Sequence, residues 1–370
     1  MGPHPHATDP PVKVDHGGAT RTSHPGGRDY ERAPLVVTWE TSQACELACD
    51  HCRAEANPDR HPDELSTEEA IALFEQVAEF GDPGPFLVLS GGDPLERPDL
   101  FELLEAATEL GIRPSVTPAT TPNLDRETIE RFADAGVGRM ALSLDGATPE
   151  RHDSFRGEEG TFDVAMRAAK HARDVGLSIQ INTTVTARTV EELPEIAALV
   201  EELDAAMWEV FFLIPVGRGD ELTQLEPRRA REVMRWLYHQ QRSASYRLIT
   251  VEAPFYRRVA HEEQRRNGET PRPVGSTGAG DGFVFVSHTG EVFPSGFMPM
   301  SAGNVREESL VSIYRDADLF RTMRDRSNRS GPCGECSFVE TCGGSRSRAF
   351  AATGDPLGSD PLCPWVAHAE

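Results

Sequence analysis

The sequence predicts an α/β fold: a partial barrel of six βα units followed by a small loop-rich extension. Three observations carry that reading. Short apolar runs alternate with amphipathic stretches from about residue 34 to 215, helix-start signals recur between the runs, and the C-terminal third loses this rhythm. Six strands separated by five helices imply right-handed crossovers and a parallel sheet that stops short of a closed eight-strand barrel.

The strands are expected at 35–38, 86–89, 112–117, 138–144, 178–185 and 208–214, with helices near 66–80, 97–110, 125–135, 161–175 and 193–203. Ser66 and Glu69 have the spacing of a capping box at the first helix. Thr148-Pro149 sets a cap residue before a proline suited to a first helical position. A further helix is expected near 226–243, with Val233, Trp236 and Leu237 on one face. Residues 263–282 are polar and glycine-rich and read as a mobile loop or lid. FVFVSHTGEVFP reads as a β-hairpin around residues 288–290. The expected organisation is a disordered tail over 1–33, a barrel over 34–225, a helical and loop linker over 226–282, and an extension over 283–370. The tail is rich in Pro, Gly and His, and its His4, His6, His16 and His24 read as solvated rather than metal-bound.

Acidic residues outnumber basic ones by 60 to 37, a net charge of −23, and the only lysines are Lys13 and Lys170. Such a balance suits a salt-rich cytosol or reflects a genome that favours arginine codons. Either way the field repels nucleic acid and anionic membranes, so neither is expected as a partner. No apolar run is long enough for a transmembrane helix and the N-terminus shows no secretory signal, so the expected location is cytoplasmic.

Seven cysteines fall into two groups with none between Cys52 and Cys333, and their odd number in such a chain argues against a disulfide framework. Cys45, Cys49 and Cys52 are spaced C-x₃-C-x₂-C directly after the first expected strand. Three thiolates leave a tetrahedral zinc site one ligand short, and His51, beside Cys52, can hardly close the same tetrahedron. A cubane iron–sulfur cluster tolerates three thiolates with its fourth iron open to a chelating ligand. Cys333, Cys336, Cys342 and Cys363 supply four thiolates, enough to close either a zinc site or a cluster.

C-x₃-C-x₂-C after the first strand of a βα barrel resembles the radical S-adenosylmethionine (radical SAM) superfamily. Ser90-Gly91-Gly92-Asp93-Pro94 after the second strand is similar to the family's GGEP motif, with Asp93 in place of Glu. Ser143-Leu144-Asp145-Gly146 resembles its SxDG segment; Asn182 on the fifth strand and Leu213-Ile214-Pro215-Val216-Gly217 after the sixth also fall where the family meets SAM.

The resemblance implies a TIM-like partial barrel with a 4Fe–4S cluster on Cys45, Cys49 and Cys52. It implies SAM held by Gly91, Gly92, Asp93, Pro94, Ser143, Asp145, Asn182 and Pro215, with His51 against the adenine. It further implies one-electron reduction by a donor such as ferredoxin or flavodoxin, which generates a 5′-deoxyadenosyl radical.

The C-terminal C-x₂-C-x₅-C after a hairpin resembles the SPASM/Twitch-type extension, which holds auxiliary 4Fe–4S clusters. A full SPASM pattern has seven cysteines; here Ser295 and Arg346 stand where two would be expected, which leaves one auxiliary cluster on Cys333, Cys336, Cys342 and Cys363.

This reduced pattern is similar to the enzymes of the alternative haem pathway, which decarboxylate propionates or remove side chains on a tetrapyrrole. A porphyrin is therefore the expected substrate. Arg156, Arg218, Arg257 and Arg258 are candidates for its carboxylates, and His152 and His288 for its iron. The alternatives are a SPASM-type maturase acting on a ribosomally made peptide or protein, and a non-enzymatic cluster-binding protein. Intact cysteines, GGDP and SLDG together argue against the last.

Overall fold

The computed structural model describes residues 28–54, 56–272, 274–275 and 277–366. Its sheet comprises β1 (Val36–Ser42), β2 (Phe86–Gly91), β3 (Ser115–Val116), β4 (Arg139–Ser143), β5 (Ile179–Val185), β6 (Met207–Phe212), β7 (Arg247–Val251), β8 (Gly278–Ala279), β9 (Gly282–Val286) and β10 (Val292–Phe293). The order is β10-β9-β1-β2-β3-β4-β5-β6-β7, with β8 beside β9. Every neighbouring pair from β9 through β7 is parallel, and only β10 runs antiparallel, to β9. The result is the expected partial barrel.

The crossovers carry α1 (Thr67–Ala78), α2 (Leu100–Glu109), α3 (Arg126–Asp134), α4 (Pro149–Arg156), α5 (Thr161–Asp174) and α6 (Leu193–Glu202). Ser66 and Glu69 form the capping box of α1. Thr148 caps α4, Pro149 occupies its first turn, and Gly157 ends it in the left-handed conformation. Strand β5 shows how the two faces are sorted. Ile179, Ile181, Thr183 and Val185 are buried against the helical layer, while Gln180, Asn182 and Thr184 alternate with them on the half-buried inner face. Trp208 of β6 packs edge-on against Trp236 and Tyr246, and its Nε1 donates to Thr183 Oγ1 at 2.9 Å. Burying each such large side chain contributes about 1.5–3 kcal/mol.

Three features depart from the expectation. The stretch read as a linker holds α7 (Pro227–Ser243), β7 and α8 (Tyr256–Arg266), and β7 adds a seventh strand beside β6. Helix α8 also takes in the first residues of the expected lid. The hairpin β9–β10 forms as predicted, but β9 pairs in parallel with β1, so the extension continues the barrel's sheet. The expected tail lies outside the described residues up to 27, histidines included. Residues 28–33 are anchored: Arg28 donates to the carbonyls of Pro34, Pro83 and Gly84, and Tyr30 is buried.

The chain ends through α9 (Leu310–Asp316), α10 (Asp318–Arg324), α11 (Gly331–Gly334) and α12 (Arg346–Thr353). Among the described residues no helix is long and apolar enough to cross a membrane.

Candidate active site

The N-terminal cysteines sit in a loop leaving the C-terminal end of β1, and the loop is pinned on both sides. Cys45 N–H donates to Asn57 O at 2.8 Å, while Ser42 Oγ and Gln43 N–H converge on Glu64 Oε1 at 2.7 and 3.3 Å. On the other side Arg218 donates its backbone N–H to Cys52 O at 3.0 Å, Nε to Cys49 O at 2.9 Å and Nη1 to Ala56 O at 3.2 Å. Cys45 and Cys49 are buried and Cys52 is half-buried. Burial pushes the Cys45 thiol up to about 12 and raises that of Cys49. Thiolates at these positions need a metal centre to offset desolvation, so the donor set suits a cluster.

The GGDP turn lies directly on this loop. Gly91 of β2 is in register with Ser42. A Cβ on Gly92 would stand 2.2 Å from Ala44 O, and one on Gly91 2.4 Å from Ser42 O, so only glycine permits the approach. Gly92 N–H then donates to Ser42 O and Asp93 N–H to Ala44 O, at 2.8 and 2.7 Å. Asp93 is fully buried and caps the short 3₁₀ turn that Pro94 opens. Its Oδ1 accepts from Leu95 N and Ala119 N at 3.0 and 3.2 Å, whereas Oδ2 is buried with no partner among the described residues. Burial pushes this carboxyl up to about 6. A buried carboxylate oxygen left open beside the cysteine loop is what an ammonium ligand such as that of SAM requires.

Ser143 and Asn182 are in register across β4 and β5, and both are half-buried. Asn182 Oδ1 accepts from Gln180 Nε2 at 2.8 Å. Pro215 is half-buried just beyond β6, after the buried Leu213 and Ile214. Asp145 is buried and bonded within the protein. Its Oδ1 accepts from Thr184 N at 2.7 Å and its Oδ2 from Arg156 Nη1 at 3.3 Å, so it braces an arginine. His51 stacks one face on Phe155, centroids 4.8 Å apart, and its Nε2 lies 3.5 Å from Arg156 Nη1. Burial lowers its pKa to about 4, which keeps the ring neutral at physiological pH.

The four arginines named as candidates for a substrate carboxylate all make contacts within the protein. Arg156 and Arg218 hold the cysteine loop as described. Arg257 is buried against the carbonyls of Thr341 and Cys342, and Arg258 lies over the Trp365 and Phe338 rings. His288 Nδ1 pairs with Glu40 Oε2 at 2.6 Å, and His152 Nδ1 accepts from Asp145 N at 3.1 Å.

The sequence reading passed over Glu64 and Arg97. Arg97, buried over the Trp39 ring, donates Nη1 to Thr41 O and Leu65 O at 3.1 and 3.0 Å and supports the end of β1. Its proximity to GGDP, three residues past Pro94, was the one available signal.

Cys333, Cys336, Cys342 and Cys363 line one cavity of about 450 Å³, closed on one side by Phe338 and Trp365. Burial pushes the Cys342 thiol up to about 11 and that of Cys363 up to about 12. Among the described residues no three His, Cys, Asp or Glu side chains are gathered as tightly as a single metal ion requires.

The Radical SAM superfamily model matches residues 39–200, which run from β1 through α6 and include the open cysteine site. The chain belongs to the radical SAM superfamily, whose members bind a 4Fe–4S cluster and SAM. Its likeness to the AdoMet-dependent heme synthase of Methanosarcina barkeri is 39% identity over 341 residues, 90% of this chain and 96% of that protein. Within the superfamily it is an enzyme of the AdoMet-dependent heme synthase type. The Fe-coproporphyrin III synthase of the same organism is 30% identical over 371 residues, 91% of this chain and 92% of that protein. Among solved structures, Streptococcus suis SuiB bound to S-adenosylmethionine superposes with a TM-score of 0.69 at 18% identity. The match covers 90% of this chain and 77% of SuiB, and is a likeness of fold.

Proposed function

We propose that the enzyme acts in the alternative haem pathway, oxidatively decarboxylating two propionates of an iron-coproporphyrin to vinyl groups. The observation that carries this reading is the 39% identity to a heme synthase over nearly the whole length of both chains. Cys45, Cys49 and Cys52 would hold the first cluster. Gly91, Gly92, Asp93, Pro94, Ser143, Asp145, Asn182, Pro215 and His51 would surround SAM, with Asp93 Oδ2 toward its ammonium. When bound, these groups supply a 5′-deoxyadenosyl radical.

For each propionate, one β-hydrogen leaves as an atom, the bond to the carboxylate carbon breaks to release carbon dioxide, and the vinyl double bond forms. One electron is left over and needs an acceptor. A second 4Fe–4S cluster on Cys333, Cys336, Cys342 and Cys363 would supply it, and a ferredoxin or flavodoxin would serve the first cluster as donor. The chain's own part is to position the side chain and exclude water. Arg139 shares the inner face of β4 with Ser143 by strand alternation, and its buried Nε has no partner. Its Nη1 lies 3.6 Å from Met207 Sδ and Glu209 is an opposite charge that bears on it, so it belongs to the polar interior of the barrel.

The test is anaerobic reconstitution followed by dithionite, SAM and iron-coproporphyrin. Formation of 5′-deoxyadenosine and two successive losses of formic-acid mass from the porphyrin are expected. An unchanged porphyrin alongside 5′-deoxyadenosine would overturn the substrate reading in favour of a peptide.

A further inference from the structure

Three buried guanidinium groups surround the second cysteine set without meeting a carboxylate. Arg326 pairs with Asp281 at 2.6 Å and Arg348 with Asp360 at 3.3 Å, but among the described residues Arg257, Arg329 and Arg346 have no such ion pair. Arg257 gives Nη1 to the carbonyls of Thr341 and Cys342, and its buried Nε has no partner. Arg329 gives Nη2 to Met323 O at 2.6 Å and keeps Nε and Nη1 buried and unpartnered. Arg346 donates to the carbonyls of Gly344, Pro356 and Gly358 at 3.1, 2.9 and 2.6 Å and keeps Nη2 buried and unpartnered.

Carbonyls satisfy hydrogen bonds but do not neutralise charge, and each unpaired buried cation carries a desolvation penalty of several kcal/mol. Burial accordingly lowers the pKa of Arg257 to about 10 and of Arg329 to about 9. Asp281 bears on Arg257 and Arg329, and Asp360 on Arg346, but each of these aspartates already pairs with another arginine, Arg326 or Arg348, so among the described residues a positive excess remains. Buried positive charge in excess of its partners calls for an anion nearby.

The cysteines lie beside these cations: Cys342 bears on Arg257, and Cys333 on Arg329 and Arg346. A Cβ on Gly344 would lie 2.3 Å from Arg346 Nη2, 3.1 Å from Asp360 Cβ and 3.2 Å from Cys333 Sγ, so guanidinium, aspartate and sulfur all border the space that this glycine leaves open. Arg258 Nη1 lies 3.9 Å from Cys336 Sγ.

We infer that Arg257, Arg329 and Arg346 form a cationic shell that biases the second cluster toward its reduced state, with Arg346 Nη2 donating to sulfur at Cys333. The inference rests on the reading of Cys333, Cys336, Cys342 and Cys363 as a 4Fe–4S site. A thiolate-ligated cluster is an anion in both states and gains one further negative charge on reduction. Fixed buried cations and N–H donors to sulfur therefore stabilise the reduced form more and raise the potential. In the overall step the substrate radical loses one electron and the cluster gains it as carbon dioxide departs. The arginines act on that equilibrium without touching substrate, which makes them positioning residues.

The test uses the full chain with Cys45, Cys49 and Cys52 replaced by alanine, so that only the second site can hold a cluster. Iron and zinc analysis comes first, and about four irons per chain are expected. Zinc, or no iron, overturns the cluster reading and the shell with it. With iron bound, the midpoint potential is followed by electron paramagnetic resonance. R346Q should weaken reduction at least tenfold, about 59 mV downward for a one-electron couple. R346K keeps the charge and should recover most of the shift. R257Q and R329Q should move the midpoint in the same direction, so misfolding of one variant leaves two readings. Unchanged midpoints in the iron-loaded variants, or equal shifts in R346Q and R346K, overturn the shell.

Discussion

Arg156 Nη1 reaches Asp145 Oδ2 at 3.3 Å, a buried ion pair between the end of α4 and the segment after β4. The same guanidinium approaches His51, next to Cys52, so the pair couples the SLDG segment to the cysteine loop. Removing the carboxylate leaves Arg156 buried and unmatched, which is far more damaging than losing an exposed pair. D145A is expected to destabilise the protein by about 3–5 kcal/mol, and D145N by less because the amide still accepts from Thr184 N. Urea unfolding measures both; a D145A midpoint equal to that of the parent would exclude this role.

Asp93 combines a functional position with an unfavourable one. Burial raises its folded pKa from the ordinary 3.8 to about 6, so the ionised carboxylate weakens the fold at neutral pH. The sign follows from linkage: this contribution to stability improves as pH falls through 6 toward 3.8. D93N keeps an acceptor for Leu95 N and Ala119 N but removes the charge. It should stabilise the SAM-free protein by about 1–3 kcal/mol at neutral pH. Its SAM affinity should drop about 10–100-fold through loss of a charge-assisted contact. Calorimetry with SAM and thermal unfolding without it give the two halves. A D93N protein that binds SAM as tightly as the parent would refute the ammonium contact.

Gly92 tests how closely the GGDP turn must pack. Its substitution by alanine would drive a methyl group to 2.2 Å from Ala44 O and 2.6 Å from Gln43 O, both backbone atoms that cannot move independently of Cys45. G92A is expected to lose most of the iron of the first site while iron at Cys333, Cys336, Cys342 and Cys363 is retained. Iron per chain should fall by about half, from roughly eight. Full iron loading of G92A would show that the loop yields without loss of the site.

Local signals explain what the sequence revealed and what it concealed. Ser66 with Glu69 and Thr148 with Pro149 announce their helices because capping is a contact between near neighbours. GGDP is readable for a similar reason, since the close approach it permits leaves no alternative to glycine. Strand β3 was expected over six residues but pairs over only Ser115–Val116, bracketed by Pro114 and Pro118. Strand β7 escaped notice because RLITV is short and sits among helical residues. Its run of β-branched residues, Ile249, Thr250 and Val251, was the available signal. The pairing of β9 with β1 joins residues more than 240 positions apart, and nothing local encodes it. The contacts of the arginines were not legible because reach and burial decide them. Arg218 looks like a loop cation in the sequence, yet it spans three segments of the cysteine loop.

His152 gives the fold a pH dependence of its own. Asp145 N–H donates to its Nδ1 at 3.1 Å, which fixes the proton on Nε2 and makes the neutral ring the one that fits. Burial, then the charge of Arg156, lowers its pKa from 6.5 to about 4. Between those values the unfolded chain binds the proton that the folded chain refuses. The contribution is intact above 6.5 and is lost as pH falls toward 4, amounting to about 2 kcal/mol between roughly pH 7.5 and 5. In H152N an amide oxygen accepts from Asp145 N–H without titrating. Its unfolding free energy should fall less than that of the parent over this interval, by about that same amount. Parallel pH profiles for the two proteins, measured by urea unfolding, would rule out His152 as the source.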